Sequence, residues 1–372
     1  MALSRIDTTN MIEDVPQSKL DNNINFRNII INGDMSLAQR GTSTSSITST
    51  GYHTVDRLQT EISSFGTWTQ SQSTDVPSGQ GFAKSLKMDC TTADASPSAS
   101  DFLVLTQKVE GQNLQYLKKG TSNAESVTLS FWVKSNKTGT YIAELYDSNN
   151  RQISKAYTVD SASTWEKKTL TFDGDTTGTL TNSNATGLFI NFWLGAGSDR
   201  TSGTLNTSWN SATTANRVVG QVNLADSASN EWYITGVQLE AGQVASDFEF
   251  LPFDVNENRC LRYFRVVGDT VSGSVAFGNG FTGAYNNTTQ VIAGRQLPIR
   301  MRTSPTVTLS ALSTFDLEPF DVPPSSLSAQ SSSPNEVILN ADDPSARTKG
   351  FACVISIDTA GGYVRMDAEL WL

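Results

Sequence analysis

The stretch Val127-Thr-Leu-Ser-Phe-Trp-Val-Lys134 places Val127, Leu129, Phe131 and Val133 at every second position. A period of two belongs to a β-strand with one buried face, because successive side chains in a strand point to opposite sides. Similar segments recur at Lys84–Cys90, Phe102–Val109, Thr140–Tyr146, Ile153–Val159, Trp165–Phe172, Gly187–Leu194 and Glu231–Glu240. An Ile29-Ile30-Ile31 run within Asn28–Asn32 and a segment at His53–Ile62 read as strands too, and a short helical turn is expected at Gln112–Lys118. Many short strands separated by Ser, Thr, Asn, Gly and Asp predict a sandwich or jelly roll. The stretch Gly195–Asn230 lacks a clear period and reads as a long loop.

Beyond Pro252 a short amphipathic piece, Glu257–Phe264, opens a second β-rich region. Its strands are expected near Val271–Phe277, Gln290–Leu297, Thr306–Leu309, Glu336–Asn340, Phe351–Ile357 and Tyr363–Leu372. Gly361-Gly362 marks a hairpin between the last two, and Asp321–Pro334, with Pro323-Pro324 and its serines, reads as a surface loop. The expected organisation is an arm over 1–26, a jelly roll over 27–250, a linker with a helical piece over 251–264 and a β-rich knob over 265–372. The arm is polar and carries no core of its own.

The net charge of −10 disfavours a sequence-independent grip on nucleic acid, which runs on clustered Lys and Arg. No apolar run is long enough to span a bilayer, and the opening Met1–Asp7 lacks the apolar stretch of a signal peptide, so synthesis in a cytoplasm is expected. Cys90, Cys260 and Cys353 are scattered and odd in number, which predicts free buried thiols.

Chemistry is harder to find. The lone His53 has no second imidazole to share a metal and is expected to be structural. Gly278-Asn-Gly280-Phe-Thr-Gly283 matches a dinucleotide-binding spacing but is followed by Asn and Thr where a helix should open, so it reads as a turn. Asp173-Gly174-Asp175 has part of a calcium loop's character without its ligand count, and reads as a turn. Two carboxylates on distant strands would make a glycosidase with no sequence signature. No catalytic, cofactor or metal residue is assigned, and a non-enzymatic role is expected.

Tryptophan parity is the informative feature. Trp132 lies opposite Leu129 and Phe131, Trp165 opposite Leu170 and Phe172, and Trp193 opposite Ile190 and Phe192 with Asn191 on its own side. Three strands therefore each send an indole away from the core. Either these rings, with Asn191, form a surface that stacks on saccharide, or a second layer packs over them, from the long loop or a neighbouring subunit.

Several segments carry a family likeness. Asn28-Ile-Ile-Ile-Asn-Gly-Asp34 resembles the opening, and Glu231-Trp-Tyr-Ile-Thr-Gly-Val-Gln-Leu-Glu240 the final strand, of galactose-binding-type jelly rolls like those of carbohydrate-binding modules. Together with Gln112–Tyr116, Phe131–Ser135 and Cys260-Leu-Arg-Tyr-Phe264, they resemble bacteriophage virion proteins, chiefly tail fibres and related appendages. The resemblance covers about Asn28 to Phe264. It implies a structural protein of the virion that meets other virion proteins, a homotrimer in many such fibres, and contact with host glycans; a head fibre or decoration protein, or a stand-alone carbohydrate-binding or glycan-cleaving protein, are the alternatives. Relatives with calcium carry acids near the first and last strands. Thr235-Gly236 stands there in this chain, so no metal is carried over.

Overall fold

A computed structural model describes residues 26–268, 280–357 and 361–371. All of the expected arm but Phe26, the expected strand Val271–Phe277 and part of the Gly278–Gly283 motif lie outside them. The chain divides into two compact units, with Pro252 ending the first and Phe253 opening the second.

The first unit holds β1 (Ser43–Ile47), β2 (Gly51–Tyr52), β3 (Gln59–Ser63), β4 (Thr67–Ser73), β5 (Ser85–Thr92), β6 (Phe102–Glu110), β7 (Val127–Ser135), β8 (Gly139–Asp147), β9 (Arg151–Val159), β10 (Glu166–Phe172), β11 (Thr186–Ala196), β12 (Asn210–Ser211) and β13 (Glu231–Ala241). They form two antiparallel sheets: sheet A in the order β1-β4-β5-β13-β7-β10, and sheet B in the order β12-β9-β8-β11-β6-β3-β2. The inward rows read from the sequence meet between them. Phe131 of β7 packs edge-on against Phe192 of β11 at 5.1 Å and Tyr157 of β9 at 5.0 Å. Leu129, Val133, Ile190 and Leu194 are buried around these rings. The unit is a jelly-roll β-sandwich, and the expected all-β class holds.

Ile29–Ile31 is not a strand. Asn28 and Gly33 tie this bent segment to β13 instead: the Asn28 side chain bonds the backbone of Val237 and Leu239, and Val237 N–H donates to the Gly33 carbonyl. A Cβ at Gly33 would stand 2.1 Å from the Val237 oxygen, so only glycine allows this approach. Opposite it, β13 shifts register between Thr235 and Gln238, with Gly236 at φ 62°, and the Thr235 hydroxyl donates to the Lys84 carbonyl at 2.7 Å.

Asp175 is buried and bonded by Lys119 and by both Nε and Nη2 of Arg151, at 2.7 and 2.8 Å. Burial works against its charge, yet these two cations hold the carboxyl far below the usual carboxylate range. Its Oδ1 also accepts from Thr177 N–H, which makes the segment an Asx-type turn. All three cysteines are buried and free.

The second unit begins with helix α2 (Phe253–Leu261), the first unit's loop having contributed a short helix α1 (Ser198–Thr201). Its strands are β14 (Phe264–Gly268), β15 (Phe281–Tyr285), β16 (Gln290–Gln296), β17 (Thr306–Leu309), β18 (Phe315–Glu318), β19 (Ser326–Ser333), β20 (Glu336–Asp342), β21 (Ala352–Ile357) and β22 (Tyr363–Asp367). A three-stranded sheet β14-β22-β17 and a six-stranded sheet β18-β21-β15-β16-β20-β19 enclose one core. Two expectations fail here. The serine-rich segment read as a loop contains β19, an edge strand whose polar side chains face water. β21 and β22 make no hairpin: they belong to different sheets, with β21 between β18 and β15 and β22 between β14 and β17.

Candidate functional site

The register of β7 fixes where its outward residues stand. Trp132 faces Thr235 on β13 and Lys167 on β10, and Lys134 faces Tyr233. Tyr233 in turn faces Lys87 on β5. A row of Lys87, Tyr233 and Lys134 therefore crosses the outer face of sheet A, and Trp165, just ahead of β10, extends it.

The row is held by charge and ring contacts. The Lys134 ammonium lies 4.3 Å from the Tyr233 ring centre and 5.7 Å from that of Trp165, and the Lys87 ammonium lies 5.5 Å from Tyr233. Trp165 meets Tyr233 edge-to-face at 6.1 Å and donates its indole N–H to Asp75 at 2.9 Å. Asp75 also pairs with Lys134, while Glu231 takes Lys87 at 2.8 Å and the Tyr233 hydroxyl at 3.0 Å.

The electrostatics follow from these pairs. Burial opposes ionisation of Asp75 and Glu231, but Lys134 with Trp165 in one case, and Lys87 with Tyr233 in the other, hold both carboxyls below their usual values. The Tyr233 phenol is pushed up to about 12 by burial and by its bond to Glu231. At neutral pH the face thus presents fixed carboxylates, fixed ammoniums and two half-exposed indoles, Trp132 and Trp165. Indole faces stack on the C–H faces of sugar rings, and ionised neighbours bind hydroxyls.

The expectation that Trp132, Trp165 and Trp193 share one surface is corrected. Trp193 is on β11 of sheet B, so its outward face is the opposite side of the sandwich. It is also covered, with only 1% of its surface exposed. Val218 and Leu205 of the long loop close over it together with Val104 and Ile142. Of the two readings of these indoles, packing beneath the long loop is the one that describes Trp193. Asn191 shares this fate: its amide and the Trp193 indole both donate to the Glu144 carboxylate, at 2.9 and 3.0 Å. Arg217 of the loop adds two further bonds to Glu144, at 2.8 and 2.7 Å, and stacks 5.0 Å from Trp193 and 4.8 Å from Tyr146. Burial disfavours the Arg217 cation, but Glu144 outweighs it and raises its pKa.

Tyr233, Lys134, Lys87, Glu231 and Asp75 were not singled out from the sequence. The signal for Tyr233 is present, since alternation in Glu231-Trp-Tyr-Ile sets it opposite the core residues Trp232 and Ile234. Asp75 and Arg217 come from loops, where no period points to them.

No protein-family model and no curated protein matches the sequence. Solved structures do resemble it. The enzymatically active domain of tailspike protein 4 from bacteriophage CBA120 matches at 16% identity and TM-score 0.30, over 58% of this chain and 22% of the tailspike chain. The carbohydrate-binding module TmCBM61, solved with β-1,4-galactotriose, matches at 13% identity and TM-score 0.28, over 58% of this chain and 99% of its own. The family 11 carbohydrate-binding module of Clostridium thermocellum, solved with a β-1,3-1,4-mixed-linked tetrasaccharide, matches at 11% identity and TM-score 0.23, over 55% of this chain and 91% of its own. At these scores the likeness is one of general architecture, and the functional reading rests on the residues themselves.

Proposed function

We propose that the chain is a non-enzymatic structural protein of a virus particle, a tail fibre or similar appendage, whose jelly-roll unit binds host-surface saccharide through the outer face of sheet A. The observation that carries the saccharide reading is the pair of half-exposed indoles, Trp132 and Trp165, flanked by ionised Asp75 and Glu231. The same carboxyls favour binding over cleavage. A glycosidase needs one carboxylic acid kept protonated near neutral pH, and Asp75 and Glu231, the carboxyls beside the two indoles and Tyr233, are pushed the other way.

Trp132→Ala and Trp165→Ala should each weaken saccharide binding tenfold or more, about 1.4 kcal/mol. A glycan array finds the ligand, and titration of both variants against it checks the effect. Unchanged affinity in both would remove sheet A from the reading. A binding protein should also release no reducing ends from the glycan it binds.

The particle assignment rests on the sequence resemblance. Residues 1–26 are the proposed attachment to other virion proteins, and the assembled form is a homotrimer. A chain lacking residues 1–26 should keep its circular dichroism and fail to incorporate into particles, and light scattering on the full chain should give three times the 40.2 kDa chain mass. Normal incorporation of the shortened chain, or a monomer at micromolar concentration, overturns the corresponding half.

A further inference from the structure

On β3 and β6 of sheet B, an amine, a carboxamide and a carboxylate are buried together. Gln59 on β3 is aligned with Thr106 on β6, so Lys108, two residues further along β6 and on the same face, lies diagonal to it. Glu61 follows Gln59 by two residues on β3 and shares that face. The Lys108 ammonium donates to Gln59 Oε1 at 2.7 Å and stands 3.1 Å from Glu61 Oε1. Gln59 and Lys108 are both 0% exposed, and Gln59 Nε2 is buried without a hydrogen-bond partner among the described residues. Phe189 on β11 is aligned with Lys108 and sets its ring centre 5.4 Å from the ammonium.

As a permanent ion pair this arrangement is costly. It keeps an ammonium out of water and leaves the Gln59 NH2 group desolvated and unbonded. Burial pushes the Lys108 pKa down, against the pull of Glu61. A neutral amine is a nucleophile, and the carboxamide carbon of Gln59 lies one bond beyond the oxygen that Lys108 already touches. A carboxylate beside the amine takes its proton and returns one to the leaving nitrogen. An amide link between the two side chains removes the buried ammonium and the orphaned NH2 group in one step.

We propose that Lys108 and Gln59 join in an intramolecular isopeptide bond, with Glu61 as the proton carrier. Glu61 accepts a proton from Lys108 Nζ. The freed lone pair forms the bond from Nζ to Cδ of Gln59, while the carbonyl π pair moves to Oε1. Glu61 then passes its proton to Nε2 and takes a second one from Nζ. The pair on Oε1 re-forms the carbonyl, the bond from Cδ to Nε2 breaks, and ammonia leaves and takes up the proton held by Glu61. In sum, one lysine ammonium and one carboxamide give one secondary amide and one ammonium ion, and no co-reactant is consumed. The product ties β3 to β6 covalently within sheet B. It stands or falls independently of the saccharide face on sheet A.

Mass spectrometry of the denatured full chain tests it. The purified protein should be lighter than its sequence mass by one ammonia. Trypsin should release a branched peptide that joins residues 58–84 to 88–118 and is uncut at Lys108. Lys108→Arg should show its full sequence mass. In a time course after cell-free synthesis, Glu61→Gln should form the link about 100-fold more slowly than the parent, the loss typical of removing a general acid–base. A purified parent at full sequence mass overturns the bond. So does an ammonia lost elsewhere in the chain while trypsin still cuts at Lys108. A Glu61→Gln variant that links as fast as the parent overturns the role of Glu61. Where a variant does not fold, the mass and the branched peptide of the parent still decide.

Discussion

Trp193→Ala is expected to lower the unfolding free energy of the first unit by about 3–5 kcal/mol, the range for deleting a well-packed aromatic, while leaving saccharide affinity unchanged. The indole fills the space between β11 and the long loop, against Val104, Ile142, Val218 and Leu205. Its removal opens a cavity there and takes one donor from a carboxylate that is fully buried. Both losses act in the same direction. Denaturant unfolding followed by tryptophan fluorescence measures the effect selectively, because of the seven tryptophans only Trp371 lies in the second unit. The opposite outcome, a stable variant that binds saccharide tenfold more weakly, would return Trp193 to the binding surface.

The contrast between Trp193 and Trp132 marks how far the sequence is legible. Parity places both indoles opposite an aliphatic row, and both do point away from the core. Parity cannot say what lies beyond that face. For Trp132 the answer is an open sheet; for Trp193 it is the segment after Gly195, whose anchoring residues Leu205, Arg217 and Val218 have no regular spacing. Which sheet each strand joins is likewise a long-range property. β7 and β10 pair in sheet A, but β11 crosses to sheet B, and nothing local to Leu188–Leu194 encodes the crossing.

Strands whose pattern is carried by polar residues escape the same reading. In β4, Thr-Trp-Thr-Gln-Ser-Gln-Ser, the inward positions are Trp68 and Gln70, and Gln70 is buried by bonding Thr54 and Thr60. β19 is almost entirely serine, alanine and glutamine, and its strand state comes from pairing with β20. Hydrophobic periodicity cannot find either one, because polar side chains carry no apolar alternation and the stabilising contacts are hydrogen bonds, to Thr54 and Thr60 for Gln70 and to the next strand for β19. The Ile29–Ile31 run misleads in the opposite sense. Its apolar residues are buried, but Asn28 and Gly33 attach the segment to β13 without a strand ladder.

The second large effect concerns Glu144 and the loop that covers it. Arg217→Met removes the only cation bonded to a carboxylate with 0% side-chain exposure, and leaves it with the neutral donors Asn191 and Trp193 among the described residues. Breaking a buried pair from one side costs about 3–5 kcal/mol, because the remaining charge is neither hydrated nor balanced. Glu144→Gln alone should also destabilise, since it takes the acceptor away from Arg217 and strands a cation beneath Tyr146 and Trp193. Making both changes removes both charges at once and keeps an amide that still accepts from Asn191 or Trp193. The double variant should therefore be more stable than the sum of the single losses predicts, with a coupling of about 0.5–3 kcal/mol. Fluorescence-detected unfolding of the three variants closes the cycle. Strict additivity would mean that Arg217 acts only through packing on the two rings. A measured coupling would mean that the ion pair, and not packing alone, fixes the loop over Trp193 and the outer face of sheet B.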